Sequence, residues 1–155
     1  MKDLRKFYID GQWIDPVQSN DLDVENPASE ELVATISLGA EADVNHAVAA
    51  ARRAFPRYSQ MPVDERISLM EKLLQIYVDR YDEMAVAISI EMGAPISFAT
   101  AAQADTGRGH INAALEALKQ FEFERQVGNT RIVKEAIGVC GFITPWNWPI
   151  NQISC

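Results

Sequence analysis

The chain has 155 residues, 48% of them hydrophobic and 23% charged, the balance of an ordinary soluble globular protein with apolar surface for one core. A formal net charge of -8 and a pI near 4.7, with no clustered basic patch to neutralise phosphates, argue against a nucleic-acid partner. No uninterrupted apolar stretch approaches the roughly 18 residues that suggest a membrane span, and the charged start Met1 to Lys6 has no apolar signal core behind it, so a cytoplasmic protein is expected.

Phe7 to Ile9 and Gln12 to Ile14 flank Asp10-Gly11, a dipeptide suited to the positive φ angles of a type I′ turn, and predict a small hairpin. After a polar stretch, Asp21 to Asn26 leads into Pro27-Ala28-Ser29, and the alternation over Glu31 to Ser37 predicts another short, peripheral strand. Val44, Ala47, Val48, Ala51 and Phe55 share one face of a helix over residues 41–55, which Pro56 is expected to end. A second helical region opens at Pro62, with Asp64 and Glu65 complementing the helix dipole. Its apolar stripe runs from Ile67 to Ile88 with a break near Asp82, and Gly93 and Pro95 stop it. A third helix is expected over Ser97 to Gln120, weakest in the middle where Gly107 and Gly109 lie. Thr130 to Lys134 and Gly138 to Ile143 carry Ile, Val, Thr and Phe without helical spacing and predict two strands. The order is hairpin, strand, three helices, then strands, a mixed α/β chain without internal repeats.

Cys140 and Cys155 have neither CxxC spacing nor neighbouring histidines, so no zinc site or disulfide framework is indicated. Cys140, between valine and glycine in the expected strand, reads as a small buried structural thiol. His46 and His110 stand alone on helices, without partners at ligand spacing. Gly107-Arg108-Gly109 lacks the third glycine and the preceding strand of a phosphate-binding loop, Asn112 standing at the third position, and is rejected as one. Glu91 reads as a helix-terminal residue.

The segment Gly138-Val139-Cys140-Gly141-Phe142-Ile143-Thr144-Pro145-Trp146-Asn147-Trp148-Pro149 resembles the G-V-x-x-x-I-T-P-W-N-[FW]-P signature of the aldehyde dehydrogenase superfamily. Tyr8 to Trp13, Asn26-Pro27-Ala28, Asp43 to Phe55, Glu65-Arg66 and Glu91-Met92-Gly93 resemble further family segments in the same order, so the likeness runs along essentially the whole chain. Ala136 departs from the proline common before this strand, implying only a looser start to it.

The resemblance implies the amino-terminal part of the aldehyde dehydrogenase α/β fold. Residues 1–137 would form the hairpin, helices and strand before the coenzyme sheet, and residues 138–155 the first strand and W-N motif of a truncated Rossmann-like coenzyme domain. It implies oxidation of a small-molecule aldehyde to a carboxylic acid with NAD or NADP: a cysteine thiolate attacks, hydride leaves for the nicotinamide, and a glutamate-activated water hydrolyses the thioester. By similarity Asn147 donates its side-chain amide to the developing oxyanion, a role suited to a neutral donor that does not titrate. Pro145, Pro149 and the two tryptophans would keep that amide pre-aimed. Ile143, Thr144, Pro145, Trp146 and Asn147 would lie along the nicotinamide side of the coenzyme.

The family's nucleophile and base lie farther along than these 155 residues, so Cys155 is not the catalytic cysteine and the chain alone is expected to be inactive. The alternative is a non-enzymatic binding or assembly module that uses uncovered apolar faces. Family members assemble as homodimers or tetramers, partly through a late strand that the 155 residues do not include.

Overall fold

The computed structural model describes residues 2–155; Met1 of the charged start lies outside the described residues. Strands β2 (Phe7–Ile9) and β3 (Gln12–Ile14) form the expected hairpin, pairing Phe7 with Ile14 and Ile9 with Gln12. Asp10 and Gly11 take φ of 54° and 77°, the mirror-image turn that matches the twist of two adjacent strands. A three-stranded sheet runs in the order β1 (Lys2–Leu4), β5 (Leu32–Ser37), β4 (Asp21–Glu25), with β1 parallel and β4 antiparallel to β5. Asn26 turns the chain between β4 and β5: its Oδ1 accepts the Ala28 N–H at 2.9 Å and its own N–H donates to the Glu31 carbonyl at 2.9 Å.

Helix α1 spans Glu41–Ser59. Asp43, in its first turn, accepts the Ala40 N–H at 2.9 Å and the Val17 N–H at 2.9 Å, fastening the loop after the hairpin to the helix start. Both bonds favour the carboxylate and hold the Asp43 carboxyl below its usual range, against the opposing effect of burial. The helix does not end at Pro56. Proline removes only its own donor, and the chain keeps helical geometry for three more residues, to Ser59.

The second region divides into α2 (Val63–Asp79) and α3 (Tyr81–Met92), with the break at Arg80 rather than near Asp82. Gly93, at φ 77°, closes α3 in the left-handed region, and a side chain there would press within 2.6 Å of Pro27 Cγ. The third helix is not uniform: a single turn α4 (Ile96–Phe98) passes into a π-helical stretch, Ala99–Ala104, and then α5 (Asp105–Gln120). The core lies where this stretch meets α3, around Ala85, Ile88, Ala94, Ala99 and Ala104. Alanines let the wider helix approach closely, and two tyrosines brace it: Tyr81 donates to the Thr100 carbonyl at 2.5 Å and Tyr77 to the Ala104 carbonyl at 2.7 Å.

Strands β6 (Glu124–Val127) and β7 (Thr130–Val133) pair as an antiparallel hairpin. The expected strand over Gly138 to Ile143 is not formed; these residues join no sheet. Strand propensity alone does not make a strand, because the ladder needs a neighbour, and Phe142 and Ile143 are exposed at 84% and 102%. The chain regains regular structure at α6 (Pro149–Ser154), which packs on α5.

Candidate functional site

The segment from Thr144 to Pro149 forms one side of an open groove of about 630 Å³, whose other side is the α3 face carrying Met84, Ile88 and Glu91. Thr144, Pro145 and Trp146 line it, whereas Ile143 projects into solvent. Among the described residues none gives a backbone hydrogen bond to positions 143–146, which leaves their carbonyls and the N–H groups of Ile143, Thr144 and Trp146 open to a ligand. Glu91 sits in the last turn of α3, as expected, at the groove rim.

Asn147 is exposed, and its side-chain amide has no hydrogen-bond partner among the described residues. Its main chain is held instead. Gln103, 1% exposed on the π-helical stretch, donates from Nε2 to the Asn147 carbonyl at 3.0 Å and makes a longer contact of 3.3 Å to Met92 Sδ. Gln103 Oε1 is buried without a partner, a condition that costs roughly 1–3 kcal/mol.

The residues after Asn147 are anchored by packing. Trp148 meets Phe98 edge-on with ring centroids 5.8 Å apart. Ile150 reaches the core, and His110 Nε2 lies 2.7 Å from Asn151 Oδ1. Gly107 lets this docking happen: an added Cβ would overlap the Tyr77 hydroxyl and lie 2.7 Å from Ile150 Cγ1. Burial beneath α6, with the nearby Tyr81 and Asp105 adding to it, pushes the Tyr77 hydroxyl up to about 12. Burial likewise raises that of Tyr81.

Cys140 is exposed, not buried, because the strand expected to contain it does not form; it lines a shallow cavity of about 350 Å³ with Arg52 and Phe55. His110, partly buried on α5, meets Asn151 of α6 through its Nε2. Cys155 and His46 are exposed, and Gly107 and Gly109 lie inside α5 rather than in a phosphate loop. Among the described residues no cluster of potential metal ligands occurs, and no helix is long and apolar enough to cross a membrane.

Sequence reasoning missed Gln103, Tyr77 and Tyr81 as residues that shape this site. The available signal was a lone glutamine within Ala99-Thr100-Ala101-Ala102-Gln103-Ala104, on a stretch otherwise made of small residues.

Comparison with known proteins agrees with the motif. The aldehyde dehydrogenase family model matches residues 13–155. A 3-succinoylsemialdehyde-pyridine dehydrogenase of a Pseudomonas species is 48% identical over 155 residues, covering 99% of this chain and 32% of that protein. The crystal structure of an aldehyde dehydrogenase from Bartonella henselae superposes with a TM-score of 0.96 at 44% identity, covering 99% of this chain and 33% of that one. A mutant aldehyde dehydrogenase of Pseudomonas syringae, complexed with NAD+ and octanal, gives a TM-score of 0.94 at 44% identity over 97% of this chain and 31% of that one. The chain thus spans about a third of the length of these relatives. With the signature, the fold and the family model in agreement over nearly every residue, the chain belongs to the aldehyde dehydrogenase family.

Proposed function

We propose that this chain supplies the oxyanion donor and the nicotinamide-side surface for the oxidation of a small-molecule aldehyde to a carboxylic acid with NAD or NADP. Residues 1–137 are its supporting part and residues 138–155 the opening of a coenzyme domain, within a cytoplasmic homodimer or tetramer. The observation that carries the reading is the pairing at Asn147 of a free side-chain amide with a main chain held by Gln103.

The chemistry follows from that arrangement. When a cysteine thiolate from outside these 155 residues attacks the aldehyde carbon, a C–S bond forms and the carbonyl π electrons move to oxygen. Asn147 donates its amide N–H to that oxygen, and a donor already aimed needs no reorganisation as the charge develops. Because the amide is neutral, it stabilises the alkoxide more than the aldehyde and does not retain a carboxylate product by charge. Ile143, Thr144, Pro145 and Trp146 suit one edge of a dinucleotide: they are exposed and their backbone groups are unpaired. A nicotinamide coenzyme held along these residues would supply the acceptor for the hydride that leaves the former aldehyde carbon. The mutant relative complexed with NAD+ and octanal supports this coenzyme and substrate class.

In the full-length enzyme that carries this segment, Asn147→Ala should lower kcat by about 10²- to 10³-fold while the KM for coenzyme holds. Unchanged kcat refutes the assignment. A polypeptide of these 155 residues alone, mixed with aldehydes and either coenzyme, should form no NADH or NADPH. The second reading, a non-enzymatic assembly module, draws on the exposed Ile137, Phe142, Ile143 and Trp146. A defined, stable oligomer of the isolated chain in size-exclusion chromatography would favour it.

A further inference from the structure

Gln103 is a poor choice for filling space. A methionine or leucine of similar volume would occupy the same site on the π-helical stretch without leaving a buried Oε1 unpartnered. Its neighbours dictate its orientation: the Asn147 carbonyl and the Met92 thioether can only accept, so the amide must turn Nε2 toward both and Oε1 away. The bond to Asn147 is what an apolar residue could not supply.

From this we infer that Gln103 is a positioning residue for the aldehyde oxidation, holding the Asn147 main chain so that its side-chain amide reaches the oxyanion at one fixed place. The inference rests on the reading of Asn147 as the oxyanion donor. Asn147 stands at a junction: residues 134–145 upstream belong to no helix or sheet, whereas Trp148 and α6 downstream are packed on Phe98, His110 and Gly107. The Gln103 bond is the contact that ties the carbonyl of Asn147 itself to the core. Gln103 can serve as a fixed post because its own stretch is braced on both sides, by Tyr81 at Thr100 and by Tyr77 at Ala104.

The test uses the full-length enzyme carrying this segment. Gln103→Met keeps the volume and removes both donors; kcat should fall about tenfold or more, as small displacements of catalytic groups do, with KM for coenzyme unchanged. Gln103→Glu places an acceptor against the Asn147 carbonyl when ionised but an O–H donor when protonated. Its kcat should therefore recover as pH falls, in a range where the parent enzyme shows no such rise. A merely structural glutamine would not produce that profile.

In the background of Asn147→Ala, Gln103→Met should cost no further kcat, because its effect passes through the missing amide. Wild-type kcat in Gln103→Met, a Gln103→Glu profile parallel to the parent's, or fully additive losses would each overturn the inference. Should Gln103→Met fail to fold, the Gln103→Glu profile decides. Loss of activity in Asn147→Ala with none in Gln103→Met leaves the Asn147 reading standing and removes only Gln103. Full activity in Asn147→Ala removes both.

Discussion

Gly107 and Gly109 lie two residues apart on α5, and helix propensity alone predicts the same effect from replacing either by alanine: a gain of about 0.4–1 kcal/mol, mostly from the unfolded chain. Their surroundings predict opposite signs. At Gly109 a Cβ meets nothing within 4 Å, so G109A should keep that gain. At Gly107 it would overlap the Tyr77 hydroxyl and come within 2.7 Å of both Tyr77 Cζ and Ile150 Cγ1. Relieving that overlap costs roughly 1–3 kcal/mol in strain. If Tyr77 moves, its hydroxyl bond to the Ala104 carbonyl is also lost, a further loss of about 0.5–1.5 kcal/mol. After subtracting the helix gain, G107A should be less stable than the parent by about 0.5–4 kcal/mol. Urea unfolding of the chain, followed by circular dichroism with m values compared, measures both variants. Limited proteolysis near α6 would show whether the strain is relieved by undocking Ile150. Equal and positive changes for G107A and G109A would refute the reasoning, because they would mean that α6 does not pack against Gly107 in solution.

Other consequences follow from the titrating groups. Tyr77 is held up to about 12 in the folded chain against an ordinary value of 10.0. Above pH 10 the unfolded state loses this proton first, so folding stability should decline as pH rises from 10 to about 12. Tyr77→Phe should show a shallower decline and lower stability at neutral pH through the lost hydroxyl bond to the Ala104 carbonyl; equal slopes in alkaline unfolding would count against it. Asp43 has the reverse sign. Its carboxyl is lowered below the ordinary 3.8, so its contribution is present above that value and is lost as pH falls through the lower folded value. Asp43→Ala, which strips a partner from both Val17 and Ala40, should be less stable at neutral pH and lose less on acidification; an acid titration of stability parallel to the parent's would contradict this.

Much of the chain was legible from residue order because the deciding interactions are local. Asp10-Gly11 specifies a hairpin whatever surrounds it, Gly93 ends α3 through its own left-handed φ, and the apolar spacing of residues 41–92 marks the helices that cover the core. The W-N motif carries the family resemblance, which puts Asn147 forward as the expected oxyanion donor. Local rules went astray where distant residues or their absence decide. Pro56 was read as a stop, but the chain stays helical for three more residues. The run Gly138 to Ile143 has the composition of a strand but pairs with none among the described residues, which also leaves Cys140 exposed. The widened turn at Ala99–Ala104 has no period that sequence inspection recognises. That turn brings Gln103 to the Asn147 carbonyl, 44 positions away, and Tyr77 and Tyr81 to its own carbonyls. The sequence by itself carries the family likeness and, through it, the expectation that Asn147 is the oxyanion donor, since residue identity and flanking prolines are local properties. Only the tertiary structure decided what holds the main chain of Asn147, because a buried hydrogen bond depends on which distant groups share the core.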